Sequence, residues 1–400
     1  MRYSDIAKIR QAGLITETQQ QEIVAHFQLK EEGSRFLTII SFVGAALVVC
    51  GIVLLLAANW EEIPRGVKIA GGLMLMLGAH AGGWYLREVK EDYRKSGEAL
   101  HLVGAGLFLG NIALVGQIYH LSSRVPNAFL LWWAGIAALP WLLRSKALHL
   151  LSLLAFGWWF GLEVNQEGSW LFFGHDEFQV LLYALLGLLY LGGGYCLRRT
   201  RFSEFAPATE KLGLLGFLAF AYPLTWGALY RSYESMNLNS RWLFPALAVG
   251  ALAIVAVGVA NLRSLDRQWR WTWGLALAGA VGLLAGELYL APHWVTEYGH
   301  GHNAYHWVCA VALFVFALLQ VQVGVQWRSE FMINLGVIFI GLDILTTYIN
   351  LFGSMGRTGL VFVLGGVFLM ALGIYLERKR RSLMRQIQTP VERGPAAVAN

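Results

Sequence analysis

The sequence predicts an all-α fold, a polytopic transmembrane helical bundle of about twelve spans with both termini in the cytoplasm. Three observations predict it: long apolar runs divide the chain, charged residues are scarce, and basic residues are concentrated in alternate gaps between the runs. Hydrophobic residues make up 56% of the 400 residues and charged residues 14%, whereas soluble domains carry about 25% charged residues. A soluble fold could not bury so many runs of about 17 to 23 apolar residues without water-facing stripes.

Each predicted span approaches the ~20 residues that cross a ~30 Å hydrocarbon layer as a helix. The spans lie at 37–58, 67–86, 99–118, 128–143, 147–164, 179–197, 212–229, 242–260, 271–289, 304–325, 331–351 and 358–376. The first run follows a polar stretch, and no small-residue cleavage site follows it. We therefore interpret it as a retained span and not as a signal peptide.

Basic residues divide unequally between the two predicted sides of the membrane. If the N-terminus is inside, 25 of the 31 Lys and Arg residues fall in cytoplasmic segments. Basic residues near spans resist translocation, so the split predicts a multi-pass protein of the bacterial inner (cytoplasmic) membrane. The net charge of +6 indicates contact with anionic lipid in the bilayer. No basic domain is available to receive nucleic acid, so nucleic acid is not an expected partner.

Two short cytoplasmic regions flank the predicted bundle of residues 37–376. Residues 1–36 predict a helical hairpin in which Ser4 caps the first helix, Gly13 stops it, and Thr16 with Gln19 forms a capping box for the second. This hairpin is either a juxtamembrane element lying on lipid or cytoplasmic loops, or a docking site for a soluble partner. Residues 377–400 are basic and then rich in small residues and proline, which predicts a disordered tail.

The first 150 residues resemble a known bacterial membrane family, labelled domain of unknown function 2157. The resemblance rests on Gly13 to Gln20, on Ala57 to Pro64 with Lys68 opening the next span, on Gly104 to His120, and on Trp132 to Ser145. The Asn-Trp-Glu-Glu-Ile-Pro junction is its most specific part. Residues after about 165 are similar only in general character. The resemblance implies a polytopic membrane protein and no established activity.

The junction between the first two spans reads as an outer-face turn. Trp60 suits the headgroup level and Pro64 suits the first turn of a helix. Glu61 and Glu62 then face water at a helix N-terminus, where the helix dipole favours anions. The segment is either a structural turn or a periplasmic contact site, and with Glu287 these residues form a candidate outer-face cluster.

Polar residues inside the spans are the main candidates for a substrate or ion pathway. A central Asp costs ~2.5 to 3.5 kcal/mol on insertion scales and usually faces protein or water. Asp343 lies near mid-depth of the eleventh span, on the same run as Asn334, Thr346, Thr347 and Asn350. It is either a proton or ion site or a hydrogen-bonded structural carboxyl. The third span adds a polar seam with His80 of the second span: His101, Asn111, Gln117 and His120.

One outward loop is rich in histidine. Three imidazoles, from His300, His302 and His306, with Glu297 nearby, have a spacing that fits a divalent zinc or copper ion. The same spacing fits an interfacial cluster of histidines and aromatic residues. No cofactor is otherwise predicted.

No enzyme motif is present in the sequence: it has no phosphate-binding glycine loop, no His-Glu-x-x-His and no Gly-x-Ser-x-Gly. Three classes of function remain. A transporter-like permease for an ion or small solute is favoured by the many spans and by Asp343. A scaffold or assembly protein for a periplasmic or cytoplasmic partner is favoured by the N-terminal hairpin. A membrane enzyme acting at the outer face is supported only by the histidine-rich loop.

Overall fold

Every regular element in the described part of the chain is helical, because only helices or closed barrels satisfy backbone polar groups within a bilayer. The structure, a computed structural model, describes residues 15–26, 61–90, 94–169, 171–172, 176–226, 240–289 and 305–352, with Arg10 and parts of 366–381. The helices are α1 (Glu17–His26), α2 (Arg65–Trp84), α3 (Arg94–Ile118), α4 (Val125–Ile136), α5 (Leu139–Leu143), α6 (Lys146–Asn165), α7 (Asp176–Leu197), α8 (Ala206–Ala221), α9 (Ser240–Ala260), α10 (Arg267–Tyr289), α11 (Tyr305–Gln326) and α12 (Glu330–Phe352).

Within these described ranges, eight stretches are long and apolar enough to cross a membrane, and all eight coincide with predicted spans. They are Lys95–Ile118, Val125–Leu143, Lys146–Asn165, Val180–Leu197, Trp242–Ala260, Arg267–Tyr289, Tyr305–Gln326 and Glu330–Asn350. The second of them combines α4 and α5. The all-helical prediction is therefore confirmed.

The other four predicted spans are not among these eight stretches. The span at 37–58 lies outside the described residues, and that at 358–376 is described only in part. The span at 67–86 overlaps α2, which is not among the eight stretches. The span at 212–229 overlaps α8, which begins at Ala206 and ends at Ala221, so its predicted end lies too late in the chain. A 3-10 turn, Tyr222–Thr225, follows α8, because Pro223 has no N–H to continue the helix.

The chain divides into two units, Met1–Gly71 and Gly72–Asn400. In the first unit the predicted capping box is present. The Thr16 backbone N donates to Gln19 Oε1 at 2.9 Å and the Gln19 backbone N donates to Thr16 Oγ1 at 3.3 Å. The other residues on which the predicted hairpin depends, Ser4 and Gly13, lie outside the described residues.

In the second unit α7 is the central helix. It packs most extensively against α8 and α9, and also against α6 and α10. Glycines allow this close approach: a Cβ on Gly213 of α8 would lie 2.7 Å from Gly187 O of α7, and one on Gly258 of α9 would lie 2.7 Å from Gly192 O. Close backbone contact through small residues is a major source of helix association in lipid.

Three motifs in the sequence pair glycines four residues apart and predict close helix packing: Gly78 with Gly82, Gly106 with Gly110, and Gly282 with Gly286. Most of these glycines do not lie at a close contact. A Cβ on Gly78, Gly106, Gly110 or Gly282 would meet nothing within 4 Å. Only Gly82 and Gly286, the second members of two of the three motifs, have side chains close by. The spacing of glycines in the sequence therefore identifies a helix face made of small residues, but it does not show whether that face contacts another helix.

Buried polar side chains also join the helices. Tyr190 OH of α7 donates to Leu153 O of α6 at 2.7 Å, and Gln320 Nε2 of α11 donates to Met332 O of α12 at 2.9 Å. Such bonds add about 0.6 to 2 kcal/mol each in membranes, so packing and hydrogen bonding together hold the bundle.

Candidate functional site

The strongest site candidate from the sequence, Asp343, is buried near the middle of α12. The residue is 5% exposed. Its Oδ1 atom is inaccessible and has no hydrogen-bond partner among the residues that the structure describes. A buried polar atom without a partner is costly and is uncommon in native proteins, so this carboxyl requires a specific explanation.

Asp343 belongs to a polar stripe on α12, defined here as Asp343, Thr346 and Asn350. Positions three and four apart lie on one helical face. Asn350 Nδ2 donates to Thr225 O at 2.7 Å, and the Thr346 hydroxyl is hydrogen-bonded to Tyr222 OH. The stripe therefore packs on the 3-10 turn that ends α8.

The 3-10 turn Tyr222–Thr225 has its own internal hydrogen bond and contacts α12 next to Asp343. Thr225 Oγ1 donates back to Tyr222 O at 2.8 Å, which closes the turn around Pro223. Tyr222 OH also lies 3.5 Å from Leu342 O, the carbonyl immediately before Asp343. The end of α8 thus lies beside the stretch of α12 that carries Asp343.

The predicted pathway residues outside α12 are not brought to Asp343 by the main contacts of α3. Asn334 and Thr347 are half-buried on α12. On α3, Asn111 donates to Gly72 O at 3.1 Å and to Leu107 O at 2.8 Å, while Gln117 and His120 are exposed. The main neighbours of α3 are α4, α6 and the segment 85–89, whereas those of α12 are α11, α8 and the turn.

The polar seam expected between α2 and α3 contains a close histidine pair. His80 Nδ1 and His101 Nδ1 are 3.1 Å apart. A Cβ on Gly104 would lie 2.7 Å from His80 Nε2, and one on Gly83 would lie 3.1 Å from the His101 ring. The absence of a Cβ at Gly83 and Gly104 therefore leaves room for the two imidazole rings to meet.

The outer-face candidates belong to different units of the chain. Glu61 and Glu62 are exposed in the turn before α2. Glu287 is 2% exposed on α10, and Cys309 Sγ donates to Glu287 Oε2 at 3.7 Å. Glu163, in the last turn of α6, accepts from Arg124 Nη2 at 2.8 Å and from Ser169 Oγ at 2.5 Å.

The metal prediction falls mainly outside the described residues. His300, His302 and Glu297 are not described, and His306 is buried at the start of α11, with its ring 4.7 Å from that of Trp307. Among the described residues no group of three or more His, Cys, Asp or Glu side chains is placed to hold a metal ion. The metal site therefore stays a prediction.

A chamber lined by both charged and apolar side chains, which the sequence did not reveal, lies where α7, α8 and the α11–α12 turn meet. Its volume is about 300 Å³. Arg198 donates to Glu210 through Nε at 2.5 Å and Nη2 at 2.7 Å, and its guanidinium lies 4.4 Å from the Trp327 ring centre. Burial raises the pKa of Glu210, and the hydrogen bonds and charge of Arg198 partly offset this rise. In the sequence Arg198 contributes only to the count of cytoplasmic basic residues, and Glu210 has no distinctive signal, since the pairing joins two helices.

In the part of the chain that the structure describes, eight long apolar helical stretches, hydrogen bonds between helices and a buried carboxyl at mid-span define a polytopic helical membrane protein. Residues 7–149 match the family described as predicted membrane protein (DUF2157), which confirms the resemblance inferred from the first third of the sequence. No curated protein and no solved structure matches the chain. The histidine pair lies inside the matched region, and Asp343 lies beyond it.

Proposed function

We propose that this protein is a permease for an ion or small solute, coupled to protons, and that Asp343 carries the proton. The observation on which the proposal depends is the buried Oδ1 atom of Asp343, which lacks a partner among the described residues. A purely structural carboxyl would be expected to satisfy both oxygens, because a half-satisfied buried group is worse than an apolar one. A carboxyl oxygen without a fixed hydrogen-bond donor can bind and release a proton without first breaking a structural hydrogen bond.

The surroundings favour the neutral or cation-bound form of this carboxyl. The C-terminal end of a helix carries a partial negative charge, and α8 ends at Ala221 beside the Asp343 stretch of α12. That field opposes a carboxylate and attracts a proton or cation. Interrupted helices whose carbonyl ends approach the midplane are used by transporters to hold coupling ions.

We also propose the full topology of twelve spans with both termini in the cytoplasm of a bacterial inner-membrane protein. The 25-to-6 division of basic residues supports it. Reporter fusions test it: a cytoplasm-active fluorescent reporter should be active after Asn400, and a periplasm-active phosphatase should be active after Arg124. Activity of the phosphatase after Asn400 would refute the even number of spans.

The proton-carrying role is tested by recording charge movement after a pH jump in proteoliposomes on a solid-supported membrane. The wild-type protein should give a transient current as Asp343 exchanges its proton, and Asp343→Asn should abolish it. The matched control is Glu330→Gln, an exposed acid at the start of the same helix, which should retain the transient. Equal transients from the wild-type protein and Asp343→Asn, or no wild-type transient, would refute the proposal.

A further inference from the structure

An apolar groove runs between α9 and α10 on the surface of the bundle. Its volume is about 610 Å³, within the roughly 300 to 1,000 Å³ of ligand sites. Leu252, Val255 and Val259 of α9 and Gly274, Leu275 and Ala278 of α10 line it. Leu275 is 70% exposed, so in a bilayer this wall faces lipid chains.

The groove has a basic end. Arg267, Arg270 and Trp271, from the first turns of α10, line it there. Within the described ranges neither arginine forms an ion pair with a carboxylate, and Arg270 Nε is buried without a hydrogen-bond partner. By contrast, Arg198 and Arg124 each form an ion pair with a glutamate.

This combination of surfaces selects an amphiphile with an anionic head. A guanidinium group can donate two parallel hydrogen bonds to the oxygens of one phosphate. The N-terminus of α10 adds positive potential. Trp271 suits the level of the headgroups. A soluble anion would leave the apolar groove unused, and an uncharged chain would leave both guanidinium groups unpaired.

We infer that the groove binds one anionic phospholipid, with an acyl chain between α9 and α10 and the phosphate on Arg267 and Arg270. The inference does not depend on the role of Asp343. It assigns the two arginines a specific ligand beyond the general attraction of basic loops to anionic membranes.

Native mass spectrometry of the full-length protein in detergent tests this site with phosphatidylglycerol as the probe. The wild-type protein should retain one added lipid more strongly than phosphatidylcholine. In Arg267→Gln/Arg270→Gln, loss of two charge-assisted hydrogen bonds should weaken retention by about tenfold or more. The matched control is Arg263→Gln, an exposed arginine of the same connection that does not line the groove, and it should bind as the wild-type protein does.

A second variant tests the groove itself. In Gly274→Leu the new side chain should occupy the groove, since its Cβ would lie 3.4 Å from Val259 Cγ1, an ordinary contact. This variant should lose phosphatidylglycerol while its circular dichroism and elution volume stay unchanged. Unchanged lipid retention in both variants would refute the site. Equal competition by glycerol 3-phosphate would instead show a site for soluble anions and would also overturn the inference.

Discussion

Gly187 of α7 and Gly213 of α8 lie against each other's helix so closely that neither position has room for a Cβ. A Cβ on Gly187 would be 2.3 Å from Phe217 N, and one on Gly213 would be 2.3 Å from Leu191 N. Both obstructing atoms belong to the backbone, so no side chain can rotate away. The two helices that make the most extensive contact in the bundle therefore depend on these glycines.

The variant Gly213→Ala should accordingly separate α7 from α8 and lower the free energy of unfolding by about 1 to 3 kcal/mol, the usual cost of overpacking. Thermal unfolding of the detergent-solubilised protein measures the change. Gly193→Ala is the matched control, because a Cβ there would meet nothing within 4 Å. Equal melting temperatures for the two variants would contradict the expected role of the close contact.

Removing either partner of the Arg198–Glu210 pair should have unequal effects. Glu210→Gln keeps hydrogen-bonding atoms near a guanidinium that is partly exposed, so little stability should be lost. Arg198→Gln leaves a mostly buried carboxylate without its partner, which should cost about 1 to 3 kcal/mol. Melting temperatures of both variants at neutral pH provide the comparison, and a larger loss in Glu210→Gln would be the opposite of this expectation.

The pH dependence of Arg198→Gln follows from the raised pKa of Glu210. When the pKa of an acid is raised by folding, its stabilising effect is complete below the unfolded pKa and is lost as the pH rises through the folded pKa. Without Arg198 this loss should be larger. The melting temperature of Arg198→Gln should therefore approach that of the wild-type protein in acid, and a difference independent of pH would argue against titration of Glu210.

Tyr222→Phe should change the site around Asp343 without removing its carboxyl. The variant loses the hydrogen bond between Tyr222 OH and the Thr346 hydroxyl, a bond of about 0.5 to 1.5 kcal/mol. We expect the pH-jump transient to persist with a shifted pH midpoint. Tyr375→Phe, an exposed tyrosine, is the control. An unshifted midpoint in Tyr222→Phe would show that the turn does not act on Asp343.

The histidine-rich loop has its own test. If His300, His302 and His306 hold zinc or copper, the purified protein should contain about one equivalent of the metal by elemental analysis, and His300→Ala/His302→Ala should lose it. Full metal content in the double variant would exclude this ligand set. The variant should leave the pH-jump transient unchanged, which separates the loop from Asp343.

Hydropathy predicted the helices well because each span is one local apolar run. The predicted spans 242–260 and 331–351 nearly coincide with α9 and α12. The boundary of α8 was less accurate, since the apolar run continues past the proline that ends the helix. The length of an apolar run indicates how much of the chain can lie in the membrane. The end of the helix depends instead on Pro223, which has no N–H to continue the backbone hydrogen bonds.

Asp343 is a candidate from the sequence because an ionisable residue is conspicuous in an apolar run. Its neighbour Tyr222 could not be found, since 124 residues separate it from Thr346 and a tyrosine at a span end has no distinctive signal. The Arg198–Glu210 pair was missed for the same reason. Contacts between distant helices follow from how the helices pack, and hydropathy does not carry that information.

The histidine pair of α2 and α3 has a further consequence. A hydrogen bond between two Nδ1 atoms, here 3.1 Å apart, contains a single hydrogen, so neutral rings must adopt complementary tautomers. When one ring donates from Nδ1, the other must carry its hydrogen on Nε2. The pair therefore has two arrangements of equal charge that interconvert only if both rings exchange together. A small separation of α2 from α3 would uncouple the rings, and imidazole nitrogen resonances would then report the distance between the two helices.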